Sequence, residues 1–171
     1  MTTQARKRIL GTLCAVVLGA AAHAGIAAEA LPVSYNLPSA DDEKSIRMVL
    51  TNYTTSVSEG DRQLFESQLL DLKIPFAAIS AKQEAGKADL AAFQDYKGFR
   101  AAIFDGGVKY RQRFSNIKIE QLGSLAQVSL DYETTVQRED YKGKGWKVLQ
   151  LVKVGTQWKI ASEFWTGYPR R

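Results

Sequence analysis

Cysteine and histidine are almost absent from this chain. Cys14 is the only cysteine and His23 the only histidine in 171 residues, and both fall within the first 24. If those 24 residues are removed on export, as argued next, the mature chain has no thiol, disulfide or imidazole. Such a chain cannot use a Cys nucleophile, a Ser-His-Asp triad or a His general base, and it cannot hold His- or Cys-ligated zinc or copper. A carboxylate-only calcium or magnesium site would need a dense acidic loop, and no D-x-D-x-D-G pattern occurs. The sequence therefore predicts no metal, no cofactor and no catalytic residue. Proline is also sparse, with 4 residues, and no apolar run is long enough to span a bilayer.

The N-terminus has the three parts of a cleavable signal peptide. Arg6, Lys7 and Arg8 form a basic n-region, Ile9 to Ala22 an apolar stretch, and Ala22-His23-Ala24 a small-residue cleavage pattern. The apolar stretch falls short of the roughly 20 residues a spanning helix needs. A lipoprotein reading would require a small residue before Cys14, where Leu13 stands. Residues 1–24 are thus expected to be removed, with Ala28-Glu29-Ala30 a second site that would place the cut as late as 30. The expected location is periplasmic or secreted, without stable membrane insertion after processing.

Cleavage after Ala24 leaves a formal charge of +2 on 147 residues, since the first 24 carry three basic and no acidic side chains. The remaining basic runs, Lys109 to Arg113, Lys142-Gly-Lys144 and Arg170-Arg171, are short. They read as solvated strand faces or loops, and no nucleic-acid partner is expected.

The mature length suits one domain with a core of its own. Residues 25–38, with Pro32 and Pro38, read as a flexible lead-in, and residues 39–171 as the domain. Ser39 with Asp42 three residues on predicts a helix N-cap. Ile46, Val49, Leu50, Tyr53 and Val57 then recur at helical spacing, and Gly60 ends the helix. Asp61 is expected to cap a short second helix burying Leu64, Phe65 and Leu69. Leu72 to Ser80 reads as an edge strand, because Pro75 has no N–H for a central ladder. A third helix is expected from about Asp89 to Asp105, with Leu90, Phe93, Tyr96, Phe99 and Ile103 inward.

From Val108 the period changes to two. Tyr110 to Leu122 switches apolar parity near Ser115-Asn116, which predicts a bulge. Leu125 to Val136 alternates with Val128, Leu130, Tyr132, Thr134 and Val136 on one face; Asp131 and Glu133 lie opposite and read as surface or interface carboxylates. Trp146 to Val154 and Gln157 to Trp165 form the last hairpin around Gly155-Thr156. A two-residue turn there pairs Lys153 with Trp158, Leu151 with Ile160 and Leu149 with Ser162. It also makes Trp146 and Trp165 neighbours. The face carrying Trp146, Val148, Gln150, Val152, Ala161, Glu163 and Trp165 is then substantially apolar, so a second copy of the chain is expected to cover it, the alternative cover being the chain's own residues 25–38 or its tail Thr166 to Arg171.

The order helix, short helix, strand, helix and long antiparallel strands resembles the NTF2-like (cystatin-like) superfamily, an α+β fold. The helix break Val57-Ser-Glu-Gly-Asp61 and the hairpin Gly145 to Val154 with Gln157 to Glu163 carry the likeness, which spans about residues 40 to 168. Among its members the chain is similar to small secreted nuclear transport factor 2-like domains, including those called lumazine-binding or SnoaL-like. The resemblance implies a curved antiparallel sheet wrapped around a long N-terminal helix with two further helices, making a cone with one open end. It does not imply one activity, because the fold hosts enzymes, binding modules and assembly domains.

Tyr53, Tyr110, Tyr132, Trp158 and Ser162 are the candidates for lining that cone. A tyrosine or tryptophan offers an apolar body with one polar handle, which suits a small amphipathic ligand. The expected function is an exported, non-enzymatic domain that binds such a ligand or mediates assembly as a homodimer. The alternative is a cofactor-free lyase or isomerase, with an Asp such as Asp71 as base and Tyr53 as hydroxyl donor.

Overall fold

The computed structural model describes residues 37–79, 95–136 and 142–168. The expected signal peptide, most of the lead-in, and Leu90 and Phe93 lie outside the described residues. Helix α1 (Ala40–Glu59) begins where Ser39 accepts from the backbone N–H of Asp42. Asp41, Asp42 and Glu43 fill its first turn, where the N-terminal end of the helix dipole favours negative charge. Its inward stripe is the expected one, Ile46, Val49, Leu50, Tyr53 and Val57, joined by Ser56. Gly60 closes the helix in the left-handed region at φ 75°, a conformation glycine adopts without strain. Asp61 then caps α2 (Arg62–Ser67) by accepting from Leu64 N–H, and α2 buries Phe65.

Five strands form one sheet in the order β1-β5-β4-β3-β2. They are β1 (Phe76–Ile79), β2 (Tyr110–Leu122), β3 (Leu125–Val136), β4 (Lys142–Val154) and β5 (Gln157–Gly167). The sheet is not wholly antiparallel as expected: β1 runs parallel to β5, from Phe76↔Glu163 to Ile79↔Thr166. As Pro75 requires, β1 sits at an edge, with the Pro75 carbonyl accepting from Glu163 N–H. Among the described residues the strand starts at Phe76, not at the expected Leu72, and Ser80 lies outside them.

The third helix also differs. Asp95 is extended, at φ −142° and ψ 168°, and bridges Pro75, so no helix passes through it. Helix α3 (Tyr96–Arg100) begins after it, with Asp95 accepting from Gly98 N–H, and continues as a π-helical segment (Ala101–Asp105).

The inner face of the sheet and the helices enclose the core, where Phe65, Phe76, Tyr96 and Phe99 pack ring against ring. Register slips by one residue at two places on the long strands. On β2 it shifts between Ser115 and Lys118, where Asn116 has φ 51°, so the expected bulge is present. The second slip was not expected. In the β4–β5 hairpin Lys153↔Trp158 and Leu151↔Ile160 pair as anticipated around Gly155-Thr156, but Gln150 pairs with Ser162. Ala161 is the extra residue. Beyond it Leu149 faces Glu163, not Ser162, and Trp146 faces Thr166, not Trp165. Every side chain of β5 after Ala161 therefore changes face relative to strict alternation.

Candidate functional site

The slip at Ala161 turns Glu163 and Trp165 inward, off the expected dimer face, and turns Ser162 and Phe164 outward. Ser162 donates to the Gln150 side chain on the outer face, so it does not line the interior. Phe164, unassigned to that face from sequence, is 40% exposed beside Trp146 at 45%. Trp146, Val148, Gln150 and Val152 stay on the outer face, with Ala161 at the bulge.

Inside, β4 contributes Lys147 opposite Trp165 and next to the Glu163 pair position. Lys147 Nζ lies 2.5 Å from Glu163 Oε1 and donates at 2.7 Å to Tyr53 Oη. Tyr53 in turn donates to Glu163 Oε1 at 2.9 Å. All three side chains are buried. The ammonium is also ringed by aromatics, 4.5 Å from the Tyr53 centroid, 5.4 Å from Phe114, 5.5 Å from Tyr132 and 5.6 Å from Trp165. Cation–π attraction of this kind offsets part of the cost of removing a lysine from water. Burial still pulls the Lys147 ammonium below the usual lysine value, against the opposing pull of the Glu163 carboxylate. Burial first, and Glu163 second, push the Tyr53 hydroxyl well above the usual tyrosine value, so it stays protonated and a donor.

Lys147 is the member of this triad that lines a cleft of about 300 Å³. Phe99, Ile103, Tyr110, Tyr132 and Trp165 supply apolar wall, while Gln112 and Thr134 supply polar edges and Gly143 a gap. The π-helical segment forms one lip through Ala102 and Ile103. A larger and more open groove, about 420 Å³ beside Met48, Asn52 and Trp158, contains no buried ionisable group. Of the five expected lining residues, Tyr110 and Tyr132 line the cleft, and Tyr53 lies beneath it. Trp158 is elsewhere: its indole N–H donates to Asp42 Oδ1, which also holds Lys153 Nζ at 2.6 Å. With Gln121 donating to Oδ2, this clamp fastens the start of α1 to the sheet, and the Lys153 contact above all holds the Asp42 carboxyl well below the usual range.

Tyr132 keeps its place because Gly145 stands opposite it. A Cβ on Gly145 would meet Tyr132 Oη at 2.8 Å and the Thr166 carbonyl oxygen at 2.0 Å. Asp71 is exposed and accepts from Lys73 N–H in its own turn, so it is not a base beside Tyr53. The carboxylate at Tyr53 is Glu163. Asp131 and Glu133 lie on the outer side of β3. Asp131 accepts from Tyr168 and Asn116, and Glu133 pairs with Lys144 at 2.7 Å. Among the described residues no three His, Cys, Asp or Glu side chains are grouped to hold a metal ion.

No family model matches the sequence. No curated protein matches it either. Solved structures do match in shape. A cystatin-like-fold protein of unknown function from Nostoc punctiforme is 13% identical at TM-score 0.57, over 77% of this chain and 94% of that one. An NTF2-like protein of unknown function from Shewanella baltica is 15% identical at TM-score 0.56, over 79% and 100%. A protein described as an aromatic-ring-hydroxylating dioxygenase beta subunit, from Novosphingobium aromaticivorans, is 15% identical at TM-score 0.62, over 76% and 91%. At these identities the common property is the fold.

Proposed function

We propose that this NTF2-like chain is an exported binding domain that takes one small aromatic molecule with a neutral carbonyl into the cleft above Lys147. The observation that carries the reading is a buried cation, already neutralised by Glu163, on the floor of an aromatic-walled cleft. The volume stands at the lower end of ligand pockets, enough for one ring with a short polar substituent. Lys147 has three N–H donors, and Glu163 and Tyr53 account for two. The third suits a carbonyl oxygen. A carboxylate ligand would meet a cation whose charge is already balanced, and Glu163 Oε2, which has no hydrogen-bond partner among the described residues, would repel it. Export rests on the basic, apolar and small-residue pattern of residues 1–24.

Titration with acetophenone tests the cleft. The ligand's nine heavy atoms at about −0.5 kcal/mol per atom give a Kd of roughly 0.5 mM. Trp165 fluorescence should be quenched in that range, and Trp165→Phe should abolish the response while Trp146→Phe preserves it. No response of Trp165 to acetophenone, or an equal response to benzoate, overturns the reading.

The outer face of the sheet supports homodimerisation as a second reading. Trp146 and Phe164 stand 45% and 40% exposed on this face, Phe164 opposite Val148 and Trp146 two residues before Val148 on β4. A second copy packing the same patch would remove both rings from water.

A further inference from the structure

Lys147 combines two properties that a purely structural ion pair does not require. It is buried, with 3% of its side chain exposed, and it still forms part of the wall of an accessible cleft. A lysine placed to hold strands together would serve equally well sealed under the rings. Here the amine nitrogen is held by two oxygens, Glu163 Oε1 at 2.5 Å and Tyr53 Oη at 2.7 Å, which leaves one N–H, and Lys147 lines a space sized for one ring.

We propose that the cleft captures small aldehydes and ketones covalently, as a reversible iminium on Lys147 Nζ, with Glu163 taking and returning the proton. The proposal rests on the ligand reading above and names its chemical class. The Lys147 ammonium passes a proton to Glu163 across their contact, leaving a neutral amine and a carboxylic acid. The nitrogen lone pair attacks the carbonyl carbon, the C–N bond forms, and the C=O electron pair moves to oxygen. After proton transfer from nitrogen to that oxygen, the carbinolamine C–O bond breaks. Its hydroxyl leaves as water with the proton returned by Glu163. Ammonium, carboxylate and carbonyl become iminium, carboxylate and water, with no oxidant or reductant.

Charge is conserved at the one place where it matters. The iminium nitrogen is still a cation beside Glu163 and inside the ring of Tyr53, Phe114, Tyr132 and Trp165, so the buried pair survives the reaction. Burial also favours the neutral amine needed for attack, and desolvation is how nucleophilic lysines are commonly activated. The Tyr53 hydroxyl, fixed as a proton donor, holds the nitrogen and Glu163 in one geometry.

The test is reductive trapping on the intact protein with benzaldehyde and cyanoborohydride, followed by peptide mass mapping. A buried lysine without this role should be the last to react. Lys147 is expected to gain the benzyl group at least tenfold faster than the exposed Lys118 and Lys144. Benzyl alcohol, which fits the cleft but cannot condense, should slow Lys147 and leave Lys118 unchanged. Lys147→Arg should remove that adduct; the wild-type map decides the matter alone if this variant does not fold. Labelling of Lys147 no faster than Lys118, while benzaldehyde still quenches Trp165, overturns the covalent step and leaves the binding reading standing. Loss of both labelling and quenching overturns both.

Discussion

Replacing Glu163 by Gln changes one charge and almost no volume, at a fully buried position. The amide oxygen still accepts from Tyr53, but the Lys147 ammonium loses its counter-ion with only 3% of its side chain exposed. Leaving one member of a buried pair unpaired costs about 3–5 kcal/mol. The four surrounding rings place this site toward the lower end. For a domain of this size that is a fall in Tm of roughly 10–20 °C at neutral pH.

The pH dependence gives the sharper check. Burial already holds Lys147 below its ordinary 10.5, and Glu163 is what opposes burial, so removing Glu163 lowers the folded value further. Between that value and the free-lysine value the unfolded chain binds more protons than the folded one. Stability then rises with pH across the window. Urea unfolding of wild type and Glu163→Gln at pH 6.5, 8 and 9.5 should show the deficit largest at 6.5 and shrinking upward. A deficit below about 1 kcal/mol at pH 6.5, or one constant with pH, would mean that Lys147 and Glu163 are not a buried charged pair. The double substitution Lys147→Met with Glu163→Leu should restore most of the loss, since an apolar replacement removes both desolvation terms.

Gly145→Ala should destabilise by more than about 2 kcal/mol in urea unfolding, because its Cβ would meet backbone as well as a ring; it should also displace Tyr132 and weaken acetophenone quenching of Trp165. Trp146→Arg or Val148→Glu should shift the sedimentation coefficient from dimer to monomer at micromolar concentration, and a monomeric wild type would sink the interface. Mass spectrometry of the exported protein should find its N-terminus at Gly25 or Leu31, with intact Met1 on a membrane-bound product refuting the export reading.

The caps and the periodicities were legible because each depends on neighbours in sequence. Ser39 and Asp61 cap helices with their own side chains, the α1 stripe follows the helical period, and Asn116 marks the β2 bulge by a parity switch. The helical limit at Asp95 was less legible. It depends on a bridge to Pro75 twenty residues away, and a distant backbone partner leaves no local pattern. Trp158 is a similar case. Its place was read from hairpin parity, which put it on the inner face correctly, but the partner that fixes it at the α1 end is Asp42, 116 residues upstream. The parallel pairing of β1 with β5 is hidden for the same reason.

Tyr110 and Tyr132 were anticipated in the cleft, but the Lys147–Glu163 pair was missed because of one residue. Read with strict alternation, Lys147 is an interruption on an apolar face and Glu163 an interruption on the other, two unrelated charges that a sequence places at the surface by default. The extra residue at Ala161 moves Glu163 to the face of Lys147 and Leu149, and carries Trp165 with it. The signal was present in the residues themselves. Beyond Ile160 the order Ser162, Glu163, Phe164, Trp165 has apolar side chains at consecutive positions, so no strict alternation buries both rings on one face. The bulge settles the conflict by burying Trp165 with the acid and exposing Phe164. A lysine and a glutamate on opposite faces would each have needed water. On one face, among the rings of Tyr53, Phe114, Tyr132 and Trp165, they neutralise each other where Lys147 lines the cleft. The same slip that creates the pair also creates the pocket wall, because Trp165 faces Lys147 across the strands only after it. Deleting Ala161 should therefore remove the ion pair and the cleft together, with Trp165 becoming solvent-exposed and its emission shifting to the red. Retention of acetophenone quenching in that deletion variant would show that the bulge does not build the site.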